Sequence, residues 1–167
     1  HSIIPSHSRL ASDAVHDVYR QKLGLLVWSD DIKRVFNRLD DSIEASGADY
    51  TLFYRQLAIL PETCVVMHEI SGLFILNCEG SDFLKPLVNF VFYDNSVFED
   101  VAKELNEVLR YWLYLLIIDL NNFHIIHSGV VNGSTGESLR DIYTPTVISA
   151  NMRMVSPKYI PREWMLE

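Results

Sequence analysis

Several short stretches of this sequence carry residue types that could bind phosphate or a metal ion. The glycines of SGVVNGSTGE (128–137) could present backbone amides to phosphate, but their spacing is G-x-x-x-G-x-x-G and no G-K-[S/T] follows. His124 and His127 stand three apart and Cys64 and His68 stand four apart, so either pair could share one helix face. A metal site needs three or four convergent ligands, and no second pair has matching spacing. We therefore expect a surface turn and structural histidines, with no metal and no phosphate loop.

Acidic doublets and cysteines are the remaining candidates for catalysis. Asp30–Asp31 and Asp40–Asp41 fall on one predicted helix, where paired carboxylates do acid–base work if burial raises one pKa. These positions fall on the polar side or in the first turn, so solvation and the helix dipole explain them. Cys64 and Cys78 form no C-x-x-C pair, so buried free thiols are expected and a disulfide between them stays open. The sequence predicts no catalytic and no cofactor-binding residue.

The closing phrase SPKYIPREWML (156–166) has an order that fits neither a strand period nor a bare helix period. Arg162 with Glu163 can join a charge network while Trp164 and Met165 are buried. We interpret the phrase as a structural lock that pins the end of the chain against the helices.

Helical spacing and cap residues predict the elements that position these residues. The predicted elements are a helix capped by Ser12 and ending near Leu23 before Gly24, a helix begun at Ser29 and stopped by Gly47, a short helix capped by Asp49 and ended by Pro61, a long helix with a Ser96–Glu99 capping box running to about Leu120, and a helix from Thr146 to Val155. YWLYLLII (Tyr111–Ile118) is interpreted as a buried stretch of the long helix.

The middle of the chain, residues 62–95, is the least well assigned. CVVMHEI and GLFILNC could be helix or strand, because short apolar runs do not distinguish the two. Pro86 predicts a helix that begins late or bends there, and FILNC and FLKPLVNFVFY would leave an apolar patch if not all buried. The fold class is therefore mainly α, a helical bundle-like module forming a single domain over residues 1–167.

Composition restricts the function classes. Of the 167 residues 49% are apolar and 22% are charged, and the formal net charge is −8. This is globular composition, and an acidic chain without a basic run is a poor partner for nucleic acid or anionic membrane. The longest apolar run is too short to span a bilayer. The chain opens on His1 rather than methionine, so either a leader has been removed or the chain is a piece of something longer.

Two blocks of sequence resemble the selenoprotein O family, which comprises mitochondrial and bacterial protein AMP-transferases with a kinase-like fold. The first block is VYRQKLGL (18–25) followed by GADYTLFYRQLA (Gly47–Ala58), where Tyr54 replaces the family's usual phenylalanine. The second block is ANMRMVSPKYIPREWMLE (150–167), which is similar to the family's N-P-K-[Y/F] and I-P-R-E-W-M-L phrases with Ser156 in place of asparagine. The positions that carry the resemblance are Lys22, Gly24, Asp49, Thr51, Arg55, Pro157, Lys158, Tyr159, Pro161, Arg162, Glu163 and Trp164.

The resemblance covers the helical region that follows the family's catalytic machinery. The family's AMP transfer depends on a glycine-rich loop, a lysine–glutamate pair and magnesium ligands, and the sequence matches none of these motifs. The resemblance therefore implies a module like the C-terminal region of selenoprotein O-type pseudokinases, with no functional residue carried over. It also implies a mitochondrial location.

Two function hypotheses follow. The first is a non-catalytic structural or interaction subunit of a larger assembly, with other protein subunits as partners and neither nucleic acid binding nor a membrane span. The second is the C-terminal fragment of an active protein adenylyltransferase, whose ATP and Mg²⁺ would be held by a separate segment. A third and simpler alternative is a small helical domain whose family residues only maintain packing, without a stable partner.

Overall fold

The computed structural model describes residues 3–91, 95–129, 133–136 and 138–156, with side chains from residue 13 onward apart from 89–91, 95 and 139–140. The elements in chain order are α1 (Ile3–Lys22), α2 (Asp30–Ser46), α3 (Tyr50–Leu57), α4 (Leu60–Cys64), β1 (Val65–Met67), β2 (Phe74–Leu76), a 3-10 turn (Asp82–Leu84), α5 (Lys85–Val91), α6 (Asn95–Ile126), α7 (Leu139–Ile142) and α8 (Pro145–Val155). The fold is mainly helical, as the sequence predicts.

The long helix α6 is the centre of the hydrophobic core. It packs along α2, and Arg38 Nε on α2 donates to Glu104 Oε1 on α6 at 2.6 Å. Trp112 of α6 is fully buried, and its Nε1–H donates to the Leu23 carbonyl at 2.7 Å. One cluster of buried side chains joins α2, α3, α5, α6 and α8.

The predicted ends of α2 and α3 are largely confirmed. Helix α2 follows Ser29 and stops at Gly47, whose φ of +67° is the left-handed conformation that glycine adopts without strain. Asp49 accepts the Leu52 N–H at 2.9 Å and so caps α3. The prediction that Pro61 ends that helix is wrong. Pro61 lies in the first turn of α4, where the N–H that proline lacks would have no partner within the helix.

Four other predicted boundaries differ from the structure. Helix α1 is already present at Ile3, so Ser12 lies inside it. Helix α6 begins at Asn95, so the predicted capping box lies within its first turns. The same helix continues to Ile126, six residues beyond the predicted end. Helix α8 is capped by Thr144, which accepts the Val147 N–H at 3.3 Å, rather than by Thr146.

The ambiguous middle segment contains a two-stranded antiparallel hairpin. Strand β1 pairs with β2 in the register Val65↔Leu76 to Met67↔Phe74. The hairpin lies against α6, because the Asn121 side chain accepts the Phe74 N–H at 2.8 Å and donates to the Phe74 carbonyl at 3.1 Å. The 3-10 turn precedes Pro86, so the helix begins late there, as one of the two sequence alternatives predicted.

Candidate functional site

A half-buried lysine connects the first three helices. Lys22 ends α1, and its Nζ lies 4.7 Å from the ring centroid of Tyr50 and 5.0 Å from that of Tyr54. The Tyr54 hydroxyl donates to Asp40 Oδ1 at 3.2 Å. A cation, two phenols and a carboxylate from α1, α3 and α2 therefore meet in one cluster, which we call the Lys22 cluster.

Burial determines the protonation of the Lys22 cluster. It lowers the pKa of Lys22, and the charge of Asp40 opposes this shift. It raises the pKa of Asp40, which the Tyr54 hydrogen bond and Lys22 oppose. It also raises the pKa of Tyr50 to about 12 and moves that of Tyr54 well above its ordinary value. Both phenols keep their protons at neutral pH, so the cluster holds helices together and supplies no phenolate nucleophile.

Tyr54→Phe is expected to raise the pKa of Asp40 further, because the lost hydrogen bond stabilises the ionised carboxylate. A folded-state pKa above the unfolded value gives stability that is lost as pH rises through the folded pKa. The variant should therefore lose about 1–2 kcal/mol at pH 7 and less at about pH 2.5, where the carboxyl is largely protonated in both states. Carbon NMR titration of the Asp40 carboxyl and denaturant melts at both pH values measure this. An Asp40 pKa that stays fixed or falls would contradict it.

Gly24 lies where α1 meets α8. Its φ is +68°, and a Cβ built on it would lie 2.8 Å from Ile148 Cγ2 and 2.8 Å from Met152 Sδ. Glycine is needed at this position of the first resemblance block, because only glycine combines this backbone conformation with such close packing. A cavity of about 290 Å³ beside it is lined by Arg20, Leu26 and other residues of α1, α8 and their connections.

The other resemblance residues that the structure describes have structural roles. Arg55 Nη1 donates to the Ser156 carbonyl at 3.5 Å, which connects the first block to the start of the second. Thr51 is half-buried on α3, behind the Asp49 cap. Seven positions of the closing phrase, including the predicted lock, lie outside the described residues: Pro157, Lys158, Tyr159, Pro161, Arg162, Glu163 and Trp164.

The histidine and cysteine pairs considered as metal ligands do not converge. Across the described residues no three His, Cys, Asp or Glu side chains could hold one ion. His124 is buried, with Nε2 2.6 Å from the Tyr143 carbonyl oxygen, whereas His68 Nδ1 lies 3.1 Å from Ser71 Oγ in the hairpin turn. The acidic doublet at the start of α2 is on the surface, where Asp31 pairs with Arg34.

The surface of α6 carries apolar side chains that the described part of the chain leaves uncovered. Tyr111, Tyr114, Ile118 and Ile125 are between 40% and 64% exposed. Their spacings of three, four and seven residues place them on one face, which we call the outer stripe. The opposite face of α6 holds Trp112 and the rest of the core. The interpretation of Tyr111–Ile118 as a deeply buried stretch is therefore wrong for Tyr111, Tyr114 and Ile118.

The hairpin flanks the outer stripe. Asn121, which binds Phe74 of β2, is three residues after Ile118 and four before Ile125, so it lies on the same side of α6. The hairpin adds exposed apolar residues of its own, including Ile70 at its turn, which is 93% exposed. Of the two segments expected to leave an apolar patch if not all buried, FILNC exposes Ile75. In FLKPLVNFVFY, by contrast, Phe83, Leu84 and Leu87 are buried.

Comparison of the chain with protein-family models, with curated proteins and with solved structures found no match. Within the described ranges, no helix has both the length and the apolar character needed to cross a membrane.

Proposed function

We propose that this chain is a non-catalytic structural or interaction module of a larger protein assembly, derived from the C-terminal helical part of a selenoprotein O-like protein. The observation that carries the proposal is the outer stripe of α6. A helix that is apolar on two opposite faces is expected to be covered on both, and here only the face toward the core is covered by described residues.

The chemistry of the stripe favours a protein partner. Covering the exposed half of a large apolar side chain is worth about 1 kcal/mol, half of the value for full burial, so several together can support specific binding. Two tyrosines add amphipathic rings of the kind that are enriched in interface cores. The net charge of −8 disfavours polyanions and anionic lipid as the covering surface.

The kinship part of the proposal rests on the resemblance blocks. The conformation required of Gly24, the cap at Asp49 and the Arg55–Ser156 contact give these residues folding roles that do not need a nucleotide. Such roles are consistent with a scaffold kept without its catalytic segment. A mitochondrial location belongs to the same proposal and is supported by the resemblance alone.

Tyr114→Lys is expected to weaken partner binding at least about tenfold, because a charge would replace a covered ring. A photo-crosslinker placed at position 118 in the natural host should join the chain to one defined polypeptide, and Tyr114→Lys should abolish that product. The matched control is a crosslinker at position 154, with Met154→Lys, because Met154 is 79% exposed and belongs to α8, not to the stripe.

Both lysine variants should change the free energy of unfolding by no more than about 0.5 kcal/mol, which separates binding from folding. Equal crosslinking at positions 118 and 154, or a chain that stays monomeric in its native extract, would contradict the proposed interaction module. The second of these results would instead support the small helical domain without a partner.

A second candidate is the C-terminal fragment of a protein adenylyltransferase with ATP and Mg²⁺ on another segment. The outer stripe favours it too, since another part of one polypeptide could cover this face. Incubating the chain alone with a labelled ATP analogue, magnesium and manganese tests the non-catalytic claim, whereas the identity of the polypeptide crosslinked from position 118 distinguishes the two candidates. Covalent AMP transfer or micromolar nucleotide binding would overturn the non-catalytic proposal, and a crosslink from position 118 into an upstream kinase-like segment would favour the fragment.

A further inference from the structure

Cys64 and Cys78 lie together at the base of the hairpin. Beyond the Val65↔Leu76 pair, the Asn77 N–H donates to the Cys64 carbonyl at 2.6 Å, and Cys78 is the next residue. With about 5 Å between opposed residues and a rise of about 3.4 Å, the two cysteine Cα atoms are about 6 Å apart. This separation lies within the usual range for a disulfide.

The side chains of the two cysteines reach the same space. In a regular strand pair they would point to opposite faces, but Cys64 ends α4 and Cys78 lies two residues past β2. Both line one surface cavity of about 400 Å³, and both are free thiols. Arg110 Nη1 donates to the Cys78 carbonyl at 3.2 Å and Nη2 donates to the Gly80 carbonyl, so this backbone is held against α6.

The two thiols differ in accessibility. Cys64 is buried, whereas Cys78 is partly exposed. Burial raises the pKa of the Cys64 thiol to about 11, and the neighbouring Cys78 thiol contributes in the same direction, so Cys64 stays protonated at neutral pH. Glu79 and Asp82 also line the cavity, with Asp82 paired to Lys85 at 3.4 Å, and the net charge of −8 repels an anionic disulfide such as oxidised glutathione but not a neutral oxidant.

We propose that Cys78 and Cys64 form a modification site at which hydrogen peroxide produces an intramolecular disulfide. The Cys78 thiolate attacks one peroxide oxygen, the S–O bond forms, the O–O bond breaks, and the departing hydroxide takes up the released thiol proton to give water. The Cys64 sulfur then attacks the Cys78 sulfur, the S–S bond forms, the Cys78 S–O bond breaks, and the expelled hydroxide takes the Cys64 proton to give the second water. Two thiols are oxidised by two electrons, and one peroxide is reduced to two waters.

The disulfide is expected to stabilise the hairpin. It would close the loop from residue 64 to residue 78, which contains both strands, and so restrict the unfolded chain. For a loop of this size the melting temperature should rise by about 6–12 °C. This inference is independent of the proposed function.

The experiment treats the folded chain with stoichiometric hydrogen peroxide and follows intact mass, peptide mapping and thermal melting. Wild type should lose two hydrogen atoms, give a 64–78 crosslinked peptide and gain thermal stability that dithiothreitol reverses. Cys64→Ser should stop at a Cys78 sulfenic acid that dimedone traps, and Cys78→Ser should form neither product. Melting of the reduced variants shows that each is folded before treatment.

The outcomes separate the proposal from simple thiol damage. A dimedone adduct on Cys64 before Cys78, disulfide-linked dimers instead of the internal bond, or oxidation of Cys78 to sulfinic acid in wild type would each overturn it. Equal rates with hydrogen peroxide and with oxidised glutathione would overturn the part that rests on charge repulsion. A reversible 64–78 bond formed faster with peroxide supports it.

Discussion

Replacing Gly24 by alanine is expected to lower the free energy of unfolding by about 2–5 kcal/mol. The left-handed backbone conformation at φ +68° costs a non-glycine residue about 1–2 kcal/mol. The new methyl group would also lie 2.8 Å from both Ile148 Cγ2 and Met152 Sδ, and overpacking of this kind costs about 1–3 kcal/mol. Chemical denaturation of the variant and the wild type measures the sum of these two costs as the difference in the free energy of unfolding.

Gly47→Ala is the matched control for that variant. Gly47 has nearly the same φ, +67°, but a Cβ there would meet nothing within 4 Å. Only the conformational cost applies, so we expect a loss of about 1–2 kcal/mol. The difference between the two variants isolates the packing of α8 on the end of α1. Equal losses would show that Met152 and Ile148 move aside, and that the close contact at Gly24 does not explain the glycine.

The sequence predicted helices whose ends are encoded locally. In α2 the stop at Gly47 and the buried positions from Ile32 to Ile43 all follow from residue type and spacing. Asp49 was predictable as a cap for the same reason, since a cap acts on an N–H three residues away. Gly24 was predictable as a turn residue, but its close approach to α8 was not, because that contact joins residues more than 120 positions apart.

The remaining elements depend on contacts that are distant in sequence. The hairpin became distinguishable from helix only through its pairing and through Asn121, which lies 47 residues after Phe74. The outer stripe was not predicted because residues 111–118 of α6 are all apolar, so their spacing does not reveal which face the core covers. The helical spacing of Tyr111, Tyr114, Ile118 and Ile125 in the sequence nevertheless indicates that a second face of this helix is apolar.

The candidate sites show the same limit. Lys22 and Arg55 were selected through the resemblance, but their partners, the Tyr50 and Tyr54 rings and the Ser156 carbonyl, come from other elements. Cys64 and Cys78 become neighbours only when the hairpin forms. A site made by residues of different elements can be recognised only when the fold is known. A single sequence gives the residue types but not their contacts.

Trp112→Ala is expected to lower the free energy of unfolding by about 4–8 kcal/mol, more than Gly24→Ala. Its side chain is fully buried in α6, and removing a buried ring costs about 3–5 kcal/mol. The Nε1–H bond to the Leu23 carbonyl, 2.7 Å long, is lost as well, which leaves a buried acceptor without a donor. A domain is typically stable by about 5–15 kcal/mol, so the variant should be marginally folded.

One control separates the ring from its hydrogen bond, and a second compares a less buried tryptophan. Trp112→Phe keeps most of the packing and loses the donor, so about 1–3 kcal/mol should be lost. Trp28→Ala removes a half-exposed tryptophan that stacks on His16 at a ring distance of 4.0 Å, and its cost should be clearly smaller. If Trp112→Ala melted like Trp28→Ala, the core would not be centred on α6, and Leu23 would not be anchored there beside Gly24.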